Sequence, residues 1–200
     1  MSPKVSAEYM RERRAEILAA ATTVFSEKGF HASTLGDIGE KAEVSKGFIY
    51  THFKSKEAVI DGISEQWETI DDERFDAAEA MPRAIDGVAD LAKSAIRRAQ
   101  RPDFTDSIRL GMFVWAEVLI NPAVQKSQQR LSERWERHFR DLVSRARDEG
   151  DIGARHSVDS VVWFLGSLAA GIFLSKGVRG YMPDVEGLEK LVDSFLDSLK

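Results

Sequence analysis

The side chains with chemistry to offer are concentrated between Lys46 and Lys56, in the run KGFIYTHFKSK. Lys46 and Lys56 are cations suited to phosphate oxygens, each placed in the first turn of a helix. Thr51 can reach a base edge, and Phe48 can rest on a thymine methyl. Gly47 leaves the backbone bare, so another molecule can come close. The chain offers no comparable setting for catalysis. His31, His52, His138 and His156 are scattered, and there is no HExxH pair, GxSxG elbow or P-loop. With no cysteine, disulfides and cysteine-bearing metal sites are ruled out. Contact with nucleic acid is expected; an enzyme, a metal or a cofactor is not.

These residues need a scaffold. The stretch TLGDIGEKAEVSKGFIYTHFKSK, Thr34 to Lys56, reads as two short helices, a tight turn between them, and the start of a third. Thr34 caps the first helix, and Asp37 three residues on completes a capping-box pattern. Leu35, Ile38 and Ala42 share one buried face. Glu43 and Val44 fill the turn, and Ser45 caps the second helix. Val44 and Ile49 have the spacing of a hydrophobic staple, and Phe53 continues the buried face from Ile49. Steps of about 100° per residue then turn Gly47 and Thr51 outward, with Phe48 and Tyr50 on the flanks. Two helices so joined form a helix-turn-helix that fits a DNA major groove. The amides after Thr34, Ser45 and Ser55 add neutral donors for phosphate. The face holds no Arg, Asn or Gln, and Gly36 in the preceding helix adds nothing. Specificity should therefore lean on DNA shape and methyl contacts.

Two runs carry a family resemblance. VSKGFIYTHFKSKEAV (Val44 to Val59) resembles the recognition helix and following segment of the TetR/AcrR family of transcriptional regulators. RRAEILAAATTVFSEKGFHASTLGDIGEKA (Arg13 to Ala42) resembles that family's first two helices. The resemblance implies a DNA-binding set of Thr34, Ser45, Lys46, Gly47, Phe48, Tyr50, Thr51, His52 and Lys56, with Tyr50 and His52 on phosphates. The residues alone leave His52 a second role in packing or capping, because it lies about 60° from the core direction. Phe48 and Tyr50 have a second role in packing against helix 1. The chain departs from the pattern twice, with Glu43 where the family has Gly and Gly39 where it has Ala. A left-handed turn residue is cheapest as Gly, so Glu43 implies strain and puts an anion near the DNA face. Gly39 weakens its helix by about 1 kcal/mol relative to Ala.

The remaining chain reads as helices throughout. Helix 1 runs from about Ala7 to Lys28 on a stripe of Ile17, Leu18, Ala21, Val24 and Phe25, and Gly29 ends it with Phe30 folding back. Arg11, Arg13 and Arg14 at its start face either phosphates or solvent. Helix 4 starts at the Ser55 cap and carries Val59, Ile60, Ile63, Trp67 and Ile70 toward about Ala80, linking the two halves mechanically. Pro82 precedes helix 5, which Arg101-Pro102 ends. Helix 6, about Phe104 to Ile120, is apolar nearly all round and is expected to be buried on most sides. Helix 7 runs from about Ala123 to Asp148, helix 8 from about Val158 to Lys176, and helix 9 from near Asp184. The fold class is all-α, with about nine helices. A helix-turn-helix domain over residues 1–56 is joined by a long helix 4 to an effector-binding and dimerisation domain over 57–200.

The net charge of −5 divides into +2 for residues 1–56 and −7 for the rest, the sign expected of an N-terminal DNA contact. The start, Met1 to Arg14, is polar and charged, with no secretory pattern. The longest apolar run, Val161 to Leu174, contains Ser167 and two glycines and falls short of the ~20 residues that span a bilayer. A cytoplasmic protein without a membrane partner is expected.

The TetR-like layout further implies a homodimer through its last two helices, here Phe164, Leu168, Ile172, Leu188, Leu191, Val192, Phe195 and Leu196. It also implies an effector pocket, for which Trp67, Met112, Phe113, Trp115, Glu117, Trp135, Phe139 and Trp163 are the candidates. Glu117 interrupts apolar helix 6, and a buried carboxylate needs a partner. A ligand could supply it, or an internal Arg or His such as Arg109 two turns back. The resulting expectation is a homodimeric regulator released from a palindromic operator in double-stranded DNA by a small hydrophobic or aromatic effector. The alternative is a DNA-binding dimer without a small-molecule switch, controlled by a partner protein.

Overall fold

The computed structural model of the chain describes residues 7–101 and 104–200. Pro102 and the side chain of Ile70, both given roles above, lie outside the described residues. Among the described residues the structure is nine helices and no strand: α1 (Ala7–Lys28), α2 (Leu35–Lys41), α3 (Lys46–His52), α4 (Lys56–Glu79), α5 (Ala84–Arg98), α6 (Phe104–Val118), α7 (Pro122–Asp148), α8 (Val158–Arg179) and α9 (Val185–Asp197). They form two compact units. One holds Met1–Gln66 with Arg109–Gln128, the other Trp67–Ile108 with Gln129–Lys200.

The second unit is built on Phe75, Ile85, Val88, Phe139, Leu142 and Val161, all nearly inaccessible. Its α8 ends later than its sequence suggests. Gly177 does not stop the helix; it sits where a Cβ would collide with Ile108 Cγ2 at 2.5 Å, so it serves close packing instead. The stop is Gly180, left-handed at φ +73°, whose N–H donates to the Lys176 carbonyl. The resulting helix has 22 residues, and an 18-residue window of it has a mean hydropathy of 1.7. By length and composition alone it could cross a membrane, which corrects the estimate from the apolar run. Only 17 % of that window is buried, leaving Trp163, Leu174 and Val178 exposed at i, i+11 and i+15.

The expectation that α6 is buried on most sides also needs correction. Leu110, Val114 and Glu117, spaced i, i+4 and i+7, are buried, while Phe113 and Trp115 are exposed. Composition cannot distinguish an apolar helix that is surrounded from one covered on a single face.

The first unit buries Ile17, Leu18, Val24 and Phe25 from α1, Ile38 from α2, Ile49 and Phe53 around α3, and Val59, Ile60 and Ile63 from α4. α1 ends at Gly29, φ +79°, and Phe30 returns its ring to within 5.5 Å of Phe25. α2 and α3 have seven residues each, well under the ~12 at which an isolated helix becomes even marginal. Their ends are therefore closed individually. Thr34 Oγ1 accepts from the Asp37 amide at 3.1 Å, and Asp37 Oδ2 accepts from the Thr34 amide at 2.7 Å. Ser45 Oγ accepts from the Phe48 amide at 3.2 Å, and Ser55 Oγ from Ala58 at 3.2 Å. The predicted capping box and both caps are present.

Lys28 donates to Asp37 at 2.7 Å, and this, with the Thr34 bonds, holds the Asp37 carboxyl down at about 2. Gly39 is buried, and a Cβ added there would meet the Val44 carbonyl at 3.5 Å and Ile49 Cγ2 at 3.6 Å, which is ordinary contact. Gly39→Ala should therefore stabilise the chain by about 1 kcal/mol and raise its thermal midpoint by about 2–4 °C, read by circular dichroism. The Asp37 carboxylate favours the folded state above its unfolded pKa, a contribution that fades as pH falls from about 4 toward 2. In a carbon-13 NMR titration Lys28→Met should move the Asp37 midpoint upward, because Lys28 is the larger cause of the depression.

Candidate DNA-binding interface

α3 buries one line of side chains and presents the rest. Ile49 is fully buried, and Phe53 caps the helix end at 2 % exposure. Lys46, Gly47, Tyr50 and Thr51 are exposed, and Phe48 is half-buried. Around Gly47 no atom lies within 4 Å of where a Cβ would be, so the fold itself makes no demand for glycine there. Thr51 Oγ1 donates to the Phe48 carbonyl at 2.6 Å and keeps its lone pairs free for an outside donor. Lys46 makes no ion pair among the described residues. Lys54 Nζ donates to the Tyr50 carbonyl at 2.6 Å, satisfying an acceptor at the C-terminal end of α3.

The turn before α3 is left-handed at Glu43, with φ +53°, the one positive-φ residue other than glycine among the described residues. That is the strain expected of a non-glycine residue at this position. Glu43 is exposed beside the helix that presents Lys46, and its charge opposes an approaching phosphate.

Several basic groups are already engaged within the first unit. Lys56 Nζ donates to the carbonyls of Phe30 and His31 and lies 4.5 Å from the centre of the Phe30 ring. Arg14 pairs with Glu65 at 2.7 Å and stacks over Phe53 at 5.3 Å. Arg13 pairs with Glu16 at 2.6 Å. His52 is half-buried, with its ring 4.9 Å from that of Phe48. Burial first, and the charge of Arg14 second, push its pKa below the ordinary value, which favours neutral imidazole. Its Nε2 is buried and has no hydrogen-bond partner among the described residues.

The eight candidate effector residues fall into two groups. Met112, Phe113, Trp115 and Glu117 belong to the first unit; Trp67, Trp135, Phe139 and Trp163 belong to the second. Trp135 stacks on Phe139 at 4.8 Å and meets Phe75 edge-on at 6.2 Å, while Trp163 is 75 % exposed. Glu117 is 4 % exposed, and its Oε1 lies 2.7 Å from His31 Nε2. Of the dimer candidates, Phe164 and Leu191 are exposed, while Leu168, Ile172, Leu188 and Phe195 are half-buried. Val192 and Leu196 lie in the second unit's core. Leu174, Val178 and Tyr181 lie outside the expected dimer set. All three are exposed apolar side chains on or just beyond α8, and the first two share the helical spacing of Trp163.

This arrangement is a helix-turn-helix with an exposed second helix, and comparison with known proteins assigns its class. Residues 17–63 match the tetR family of bacterial regulatory proteins. Residues 98–200, just over half the chain, match the C-terminal domain of BetI-type transcriptional repressors. The chain belongs to the TetR family of DNA-binding transcriptional regulators. Among curated relatives, the transcriptional repressor KstR2 of Rhodococcus jostii is 45 % identical over 51 residues, 26 % of this chain and 25 % of that one. The chain spans about a fifth to a third of the length of the curated relatives it matches. Over the whole fold it resembles Salmonella enterica GusR, with a TM-score of 0.78, 22 % identity and 98 % of both chains covered. It also resembles Bacillus subtilis FadR in complex with stearoyl-CoA, with a TM-score of 0.76, 18 % identity, and 93 % of this chain and 98 % of that chain covered.

Because nothing in the fold requires glycine at position 47, Gly47→Ala separates stability from binding. It should stabilise α3 by about 1 kcal/mol in thermal melts. Operator affinity measured by gel shift should fall, because the methyl occupies the space a DNA backbone would use.

Proposed function

We propose that the chain is a homodimeric repressor that lays α3 of each copy in successive major grooves of a palindromic operator. In this reading Thr34, Ser45, Lys46, Gly47, Tyr50 and Thr51 supply the contacts, with Phe48 on thymine methyls. The observation that carries it is the exposed face of α3 around Gly47, held by a capped turn and empty of the chain's own atoms. The exposed apolar face of α8 supports the dimer: Trp163 is 75 % exposed, Val178 72 % and, on α9, Leu191 66 %. A second copy covering this face would account for a helix of such hydropathy lying open on a single chain.

An effector of hydrophobic or aromatic character completes the reading, with Trp135 and Phe139 as its first candidate contacts. The stearoyl-CoA held by FadR illustrates such a ligand in a protein of the same fold. One observation favours the second reading, control without a small molecule. Phe139 is 1 % exposed and its ring stacks on Trp135, so these two aromatic candidates are packed on each other.

A gel-shift titration on DNA flanking the chain's own gene, at two salt concentrations, tests operator binding. A specific shift is expected, with log affinity falling by about 0.9 per log unit of salt for each phosphate contact. Tyr50→Ala should weaken it while circular dichroism and the sedimentation mass stay unchanged. Val178→Glu should instead lower the sedimentation mass to that of one chain. Loss of fold in Tyr50→Ala would make Tyr50 a core residue and refute its place on the face.

A further inference from the structure

Among the described residues Glu117 is the charged side chain that is buried. Its surroundings assign it a task. Oε1 meets Nε2 of His31, a residue in the α1–α2 connection whose side chain is 75 % exposed. One turn earlier on the same face of α6, the Phe113 ring closes over Gly29, where a Cβ would meet Cε1 at 3.5 Å. Residues 29–31 are gripped from another side as well. Lys56, the first residue of α4, donates to the carbonyls of Phe30 and His31. Ser33 Oγ then donates to the Gly29 carbonyl at 2.6 Å, immediately before the Thr34 cap of α2. The connection that starts the helix-turn-helix is thus held between the last turns of α6 and the first residue of α4, all within the first unit. α6 itself begins in the second unit, at Phe104–Ile108.

We propose that His31 and Glu117 are positioning residues: the pair fastens α6 to the α1–α2 connection and so sets the helix-turn-helix in its operator-binding arrangement. The proposal rests on the operator-binding reading and names two residues that hold the motif in place for it. A buried carboxylate deprived of its partner is unfavourable, so α6 is held in register with His31 until something displaces it. Loss of the pair loosens residues 29–31, and with them the cap of α2. Neither residue needs to touch DNA for this.

The test compares His31→Ala, Glu117→Leu, which removes the acceptor at similar size, and the double variant in the full chain. Operator affinity is measured at two salt concentrations, and amide hydrogen exchange is followed over residues 29–41. Each single variant should bind about tenfold more weakly with an unchanged salt slope, and the double variant should be no weaker than either single. Exchange over 29–41 should quicken in all three. His31→Gln, which keeps a donor, should recover part of the affinity. The proposal is overturned if the two effects add. It is also overturned if His31→Ala alone lowers the salt slope by about one, which would make His31 a phosphate contact. If wild-type protein binds operator and the variants bind equally well, the pair does not position the motif. If wild-type protein shows no specific binding, the operator reading fails instead, and unchanged exchange over 29–41 would still refute the fastening.

Discussion

Two helices of seven residues cannot hold themselves, and the DNA-binding unit is arranged around that constraint. Helix formation is costly to nucleate, so α2 and α3 exist only because each is closed by side chains at its start and buried along one line. Ile38 and Ile49 are both fully buried, and α2 packs both on α3 and on the longer α1. Arg14 reinforces this from α1, with its guanidinium over the Phe53 ring and its charge on Glu65 of α4. The recognition helix is therefore the most dependent element of the unit, while its exposed face is the least constrained part.

The same packing sets the electrostatics. A surplus of two positive charges over residues 1–56 is already small, and much of it is engaged internally. Lys28 serves Asp37, Lys56 serves two carbonyls, and Arg13 and Arg14 have carboxylate partners. In the proposed reading Lys46 and the amide dipoles at the helix starts meet phosphates, with Glu43 opposing them. Charge-driven, sequence-independent attraction is weak for such a surface, which in the proposed reading places the weight on fit between α3 and the groove.

The parts legible in the sequence were those set by neighbours along the chain. Thr34 and Asp37 predicted their capping box because both partners lie within one helical turn. Glu43 predicted its own strain because a turn of that length needs a left-handed residue. Gly29 and Phe30 announced the end of α1 for the same local reason. What stayed unread was non-local. Lys56 has the type and place of a phosphate ligand, yet its partners are carbonyls of residues 30 and 31, a loop that no helical periodicity connects to it. Glu117 advertised its need for a partner, but His31 is remote in sequence, whereas Arg109 is only two turns back on the same helix. The apolar surfaces of α6 and α8 misled in a related way, because hydropathy records what a helix would tolerate and not how many neighbours it has. Gly177 looked like a helix end for want of any sign that Ile108 would press against it.

Gly47, Tyr50 and Thr51 are exposed and bear little of the burden of holding α3 in place. Substitutions that destabilise a protein are ordinarily removed before their effect on function can matter. Here the residues that would read an operator are separated from those that keep α3 folded, Ile49, Phe53 and the Ser45 cap. A lineage carrying this scaffold can exchange one binding sequence for another through changes at the exposed positions. Duplicated copies can drift apart in the genes they address while their interiors stay alike.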